Sequence, residues 1–365
     1  MWHKQNLSVL SLLCMMLGCS NATETSTETE PDKVSDALYF PPLARDNWET
    51  IAPEALDWNA ESLTELQTFL ASKNTKGFLI LKNGKMAMEW YADGFTKDSP
   101  WYWASAGKTL TAFTVGLAQD EGYLGLNDRT ADHLGPGWTA LPQEKEQLIT
   151  IWHQLTMTSG MDDEQGDCKT PDCLTYVADA GTRWSYHNAP YTLLQDVVAR
   201  AANTDFETYF DLRLKSRVGM TGQWITTNGS NNVFWSNARS MARFGLLNLN
   251  NGQWEETPIL ADGQFMEAMR NTSQDLNKSY GYLWWLNGKE SAMLPQSQLV
   301  FNTVLIPNAP DDLYAGLGKN DQKLYIVPSE NLVVVRLGES TGEPTLGPSS
   351  FDNELWGLLG ALMDL

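Results

Sequence analysis

Residues 101–110 read WYWASAGKTL, and the apolar run continues through TAFTVGLA. A lysine, Lys108, stands three residues after a serine, Ser105, beside Trp101, Tyr102 and Trp103. A lysine in such surroundings is either paired or neutral. Residues 106–121 read as a helix rich in alanine, leucine and valine, stopped by Gly122. A helix starting near Ser105 puts Ser105 and Lys108, at i and i+3, on one face. It also puts the serine at a helix N-terminus, where backbone N–H groups favour developing negative charge. A serine hydroxyl needs a base close by to act as a nucleophile, and a desolvated lysine supplies one. About one Ser-x-x-Lys is expected by chance in a chain of this size. The same residues also read as an N-cap serine beside a snorkelling lysine. This Ser-x-x-Lys is the only one in the chain.

Outward from that helix, strands lie at both ends of the chain and helices in the middle. Residues 77–91, GFLILKNGKMAMEWY, form a hairpin around Asn83-Gly84. Helical segments recur at 148–161, 189–203, 206–220 and 238–252. Strands return at 280–287 and at 323–338, where KLYIVP and LVVVRLG flank a turn, and the chain closes on a helical pattern over 351–365. The expected fold class is therefore α+β: an antiparallel β-sheet built from the two ends and flanked by helices, with an inserted all-helical lobe. The sheet lobe is expected over about 45–115 and 275–365, and the helical lobe over about 116–274. The cleft between them is the expected active site.

Two further patterns carry chemistry. In TRWSYHNAPY, Tyr186-His187-Asn188 is the only Tyr-x-Asn in the chain. A tyrosine hydroxyl can share protons with a lysine and a serine, and an asparagine can hold a substrate amide and orient the lysine. Asn188-Ala189-Pro190 is also ordinary turn chemistry. In GLGKNDQKLYIVP, Lys319 follows a glycine pair and precedes a strand. It suits a substrate carboxylate, and it also reads as a polar turn before a hairpin. His187 is a candidate for tuning Tyr186 or for a solvent-facing position. Of the fifteen tryptophans, most read as core. Trp101, Trp103, Trp184, Trp284 and Trp285 flank the motifs as candidate cleft walls.

Taken in order, the three patterns resemble the serine β-lactamase and penicillin-binding-protein superfamily, and most closely its class C and esterase branch, where Tyr-x-Asn is the middle motif. WHQLTMTSGMD, ARSMARFGLLNLNNGQW and YGYLWWLN also resemble family segments, and the resemblance covers roughly residues 45–365. It implies a β-lactamase/transpeptidase-like fold. By the same resemblance Ser105 is the acylated nucleophile, Lys108 its proton acceptor and Tyr186 the partner acid and base. Asn188 and Lys319 bind substrate, and the N–H groups of Ser105 and Gln322 form the oxyanion hole. The third motif departs from the family where Asp321 replaces its usual glycine. An aspartate there is expected to add bulk and negative charge, and so to disfavour carboxylate-bearing β-lactams. The expected function is an exported serine hydrolase acting on an ester or amide bond through an acyl-enzyme. The alternatives are a β-lactamase or D-Ala-D-Ala-type carboxypeptidase, and a non-catalytic envelope binding protein.

Composition narrows the partners. The chain has 365 residues and a formal net charge of −20. Such an acidic chain repels nucleic acid and anionic lipid, which leaves a small-molecule or peptide substrate. MWHKQN followed by LSVLSLLCMMLG is a targeting segment too short to span a bilayer. With Leu17-Gly18-Cys19 it resembles a bacterial lipoprotein signal over 1–18, with a lipid anchor on Cys19 as the only membrane attachment. Residues 20–36 are polar and acidic, and a flexible tether is expected over 19–44. Cys14 leaves with the signal. Cys168 and Cys173, which flank Thr-Pro-Asp in an exported chain, are expected to form a local disulfide. His133, His153 and His187 lack metal-ligand spacing, so neither metal nor cofactor is expected.

Overall fold

The computed structural model describes residues 37–44, 47–227, 229–342 and 346–365. The expected signal, Cys19 and the acidic stretch 20–36 lie outside the described residues. Residues 37–44, assigned above to the tether, belong to the body of the fold. The Tyr39 N–H donates to the Asn83 carbonyl at 2.9 Å, and Arg243 donates to the carbonyls of Pro41 and Pro42. Among the described residues no helix is long and apolar enough to cross a membrane.

Nine strands and five helices position the site. The strands are β1 (Thr75–Lys82), β2 (Lys85–Tyr91), β3 (Trp101–Tyr102), β4 (Gln223–Thr227), β5 (Asn231–Ser236), β6 (Trp285–Leu286), β7 (Tyr314–Gly318), β8 (Gln322–Val327) and β9 (Leu332–Gly338). The helices are α1 (Ala60–Ser72), α2 (Lys108–Asp120), α3 (Asn188–Ala201), α4 (Ala238–Leu249) and α5 (Ser350–Met363). The main sheet runs β2-β1-β9-β8-β7-β6 and is antiparallel throughout. Strands from the two ends of the chain thus meet at the β1–β9 pair, as expected. The β1–β2 turn has Asn83 at φ 50° and Gly84 at φ 78°, the left-handed pair that a two-residue hairpin requires.

Both faces of the sheet are covered, which is why β9 is buried along its whole length. On one face lie α1 and α5. Asn59 caps α1 by accepting from the N–H groups of Glu61 and Ser62. Ser349 and Asp352 form a capping box at the start of α5. The helices meet through Phe69 and Phe351, stacked at 5.5 Å. On the other face lies α4. A Cβ on Gly245 would come within 2.5 Å of the Val333 side chain, so glycine is what lets α4 sit this close. The sequence division at residue 274 therefore misplaces α4, which packs on the sheet. The remaining helical region has a small core of its own around Trp138, Ile149, Met161, Leu174 and Leu193. Helix α2 runs between these layers and is buried from Lys108 through Ala118.

Candidate active site

Ser105 lies in a single 3₁₀ turn, Ala104–Gly107, that leads directly into α2. Ala104 has φ 47°, a left-handed conformation that costs a non-glycine residue about 1–2 kcal/mol. The turn is held by the Ala106 N–H, which donates to the Trp103 carbonyl at 3.1 Å. Strand β7 presses against it. A Cβ on Gly318 would lie 2.6 Å from the Trp103 carbonyl oxygen and 3.1 Å from the Ser105 nitrogen. Gly318 thus lets the strand pack against the backbone of the serine turn.

Lys108 is fully buried, with 1% of its surface exposed. Its Nζ donates to Ser105 Oγ at 2.9 Å and to Asn188 Oδ1 at 2.6 Å. It also sits 4.0 Å from the ring centroid of Tyr191 and 4.8 Å from that of Tyr186. These faces favour the ammonium form, but desolvation dominates. Burial pulls the lysine down to about 7, with the Asp167 charge opposing the shift. The amine therefore exchanges protons near neutrality, as a base must.

The Tyr186 hydroxyl is enclosed and meets no hydrogen-bond partner at good geometry; Ser105 is the polar group it faces. Burial raises the phenol well above its ordinary value, and the contact with Ser105 opposes the shift. Tyr186 consequently stays protonated at neutral pH and acts as a donor. Its ring stacks on Trp285 at 5.7 Å. His187 does not face solvent: it is 2% exposed, and both ring nitrogens are buried without a partner. Burial pushes it down to about 4, so it is neutral.

Asn188 opens α3. Its Oδ1 faces Lys108, and its Nδ2 donates to Asp167 Oδ1 at 2.6 Å. Asp167 adjoins Cys168, which is bridged to Cys173 with a Cα–Cα distance of 5.9 Å.

The third motif differs from expectation in two ways. Asp321 does not enter the cleft. It is buried against Thr341 and Ser349, which both donate to it at 2.6 Å, and pairs with Lys323 at 3.2 Å. Asn320 and Asp321 take left-handed φ angles of 59° and 58° that carry the aspartate inward. Gln322 is also structural. Its amide donates to the carbonyls of Lys319, Asn320 and Gly338 and accepts from the Gly338 N–H. Its own N–H turns into the hairpin, by the following register. Asn287 N–H donates to the Leu313 carbonyl at 2.8 Å, and β6 pairs only with Tyr314 and Ala315 of β7. Alternation then points the N–H of Leu317 out of the free edge of β7, and turns that of Gly318 toward Gln322 opposite. The outward donor beside Ser105 is Leu317.

A cavity of about 390 Å³ opens on this constellation, lined by Tyr102, Ser105, Asp167, Asn188, Trp235 and Lys319 among others. Lys319 is exposed there. Trp103, Trp184, Trp284 and Trp285 are buried in the core, so of the tryptophans it is Trp235 that lines the cavity. The structure brings Ser105, Lys108, Tyr186 and Asn188, singled out in the sequence, to one place, and sets beside them Asp167, Tyr191, Leu317 and Trp235, which the sequence reading did not single out. The glycine pair before Lys319 was the available signal for Leu317.

The Beta-lactamase family model matches residues 66–355. The chain belongs to the beta-lactamase family. The fold comparisons agree. A family VIII carboxylesterase superposes with a TM-score of 0.62 at 13% identity, covering 83% of this chain and 98% of the other. A penicillin-binding protein from Bacillus halodurans gives 0.55 at 16% identity, covering 81% and 98%. In sequence, this beta-lactamase family member is 23% identical over 327 residues to the 6-aminohexanoate-dimer hydrolase of Paenarthrobacter ureafaciens, which covers 77% of each chain. Among the described residues no cluster of side chains could hold a metal ion.

Proposed function

We propose that this hydrolase of the serine β-lactamase superfamily cleaves an ester or linear amide through an acyl-enzyme on Ser105. The observation that carries the reading is the 2.9 Å contact from a buried, poorly cationic Lys108 to Ser105 Oγ. Neutral Lys108 takes the Ser105 proton as Oγ attacks the substrate carbonyl. The N–H groups of Ser105 and Leu317 stabilise the oxyanion. The lysine proton passes by way of the Tyr186 hydroxyl to the departing alcohol or amine, and the acyl-enzyme remains. Water then gives its proton to Lys108, attacks the ester, and releases the acid as Ser105 regains its proton. The Tyr191 and Tyr186 rings stabilise the ammonium that forms in each half-reaction.

The preference for esters and linear amides does not rest on Asp321, whose charge is turned away from the cleft. It is supported by the similarity to a family VIII carboxylesterase and to the 6-aminohexanoate-dimer hydrolase of Paenarthrobacter ureafaciens. Turnover of a p-nitrophenyl ester, a linear aminoacyl amide, a D-Ala-D-Ala peptide and a cephalosporin tests it. Ester or linear-amide hydrolysis abolished by Ser105→Ala is expected. Hydrolysis of the cephalosporin alone would overturn the preference, and peptide binding without turnover would favour an envelope binding protein. The protein is proposed to be exported and anchored through Cys19. Release of the full chain from membranes by Cys19→Ala supports the anchor, and unchanged fractionation refutes it.

A further inference from the structure

The Asn188 amide can face Lys108 with either its oxygen or its NH₂ group, and only one orientation leaves the lysine able to act. With Oδ1 toward Nζ, the neutral amine donates one N–H to Asn188 and keeps its lone pair for the Ser105 proton. With the amide reversed, the Asn188 NH₂ competes for that lone pair. Asn188 itself has no preference between the two. Asp167 does, because an ionised carboxylate only accepts, and it sits 2.6 Å from Asn188 Nδ2.

We propose that Asp167 is a positioning residue: it locks the Asn188 amide so that its oxygen faces Lys108, and thereby directs the lysine lone pair at Ser105. This rests on the hydrolase reading above. The loop that carries Asp167 is built for the task. The Cys168–Cys173 bridge closes it immediately after Asp167. Lys169 pairs with Asp196 on α3, the helix that Asn188 opens, at 3.0 Å. Arg183 pairs with Asp163 at 2.7 Å, and the Asp162 N–H donates to the Thr175 carbonyl at 3.0 Å. The carboxylate is thus fixed relative to the asparagine it orients, as supporting groups around a catalytic side chain must be. A second consequence is electrostatic. The groups around the lysine are Ser105, Asn188, the phenols of Tyr186 and Tyr191, neutral His187 and Asp167. Asp167 is the one among them that carries a negative charge, and it favours the lysine ammonium.

The test is the pH dependence of fluorophosphonate labelling of Ser105 in the full chain, for wild type, Asp167→Asn and Asp167→Ala, with Tm measured alongside. Asn at 167 keeps the size but removes both the charge and the acceptor-only character. Both variants are expected to lower the plateau rate, Asp167→Ala by about tenfold or more. Both are expected to move the acid limb to lower pH by about half a unit or more, because the opposing charge is gone. Wild-type plateau and limb in both variants overturn the inference. A lower plateau with a fallen Tm and an unmoved limb also overturns it, since Asp167 then only holds the loop. Absence of labelling in the wild type sinks the hydrolase reading itself, and the inference with it.

Discussion

The pH dependence of Ser105 acylation should report the proton state of Lys108 directly. Burial brings the lysine from its ordinary value of 10.5 to about 7. The fraction of free amine is then about 9% at pH 6, about 50% at pH 7 and about 91% at pH 8. Labelling by a fluorophosphonate, whose own reactivity changes little over this range, should rise about tenfold between pH 6 and pH 8 and then level off. An ordinary lysine near 10.4 would give a rate climbing about tenfold per pH unit up to pH 9 and beyond. The two curves differ in shape as well as size, so the inflection is diagnostic. Intact-mass measurement of adduct against time, from pH 5.5 to pH 9.5, resolves it. Lys108→Arg should lose about 10²–10⁴-fold in rate at every pH, because a guanidinium cannot serve as the base. A log-linear rise with no inflection below pH 9, or an active Lys108→Arg enzyme, would refute the role given to the buried lysine.

Tyr186→Phe should remain labelled by a fluorophosphonate but lose substrate turnover, and amides should suffer more than activated esters because a poor leaving group needs the proton that the hydroxyl relays. Equal losses for p-nitrophenyl esters and anilides would contradict the relay. Asp321→Ala should destabilise the fold by about 1–3 kcal/mol in urea titration, since it removes the acceptor of the Thr341 and Ser349 hydroxyls while Lys323 keeps Asp352 at 2.9 Å. Its carboxyl is held below the ordinary value: burial acts to raise it, but the Lys323 charge and the bonds from Ser349 and Thr341 outweigh burial. The stability it contributes is present above the unfolded value of 3.8 and is lost as pH falls through the lower folded value. The acid-induced loss should therefore be smaller in Asp321→Ala than in wild type below about pH 4, and equal losses would refute it. Cys168→Ser with Cys173→Ser should cost about 2 kcal/mol, the loop-closure value for so short a ring. Thiol titration of the unreduced wild type should find neither cysteine free.

The sequence patterns that proved legible were the ones set by local geometry. Ser105 and Lys108 are one helical turn apart, so their contact follows from spacing alone once the helix is recognised. Asn83-Gly84 dictates its hairpin for the same reason. Tyr186 and Asn188 join the site through tertiary packing, and their place came from the resemblance to a family. The missed residues depend on register and loop path. Leu317 is distinguished from its neighbours only by which way its N–H points, and that is fixed by how far β6 extends along β7. Asp167 reaches Asn188 through a loop whose course no periodicity announces. Asp321 misled because a motif position was equated with a place in the cleft, whereas two consecutive left-handed residues turn it into the core. Helix α4 looked like part of the inserted lobe because chain order does not reveal that Gly245 lets it settle on the sheet.

The most direct measurement is the intact mass of the full chain after exposure to a fluorophosphonate, followed by peptide mapping. A single adduct on Ser105, lost in Lys108→Ala while the protein remains folded, is the expected result. A folded wild type that takes no adduct, or takes it on another residue, would contradict an activated serine at position 105.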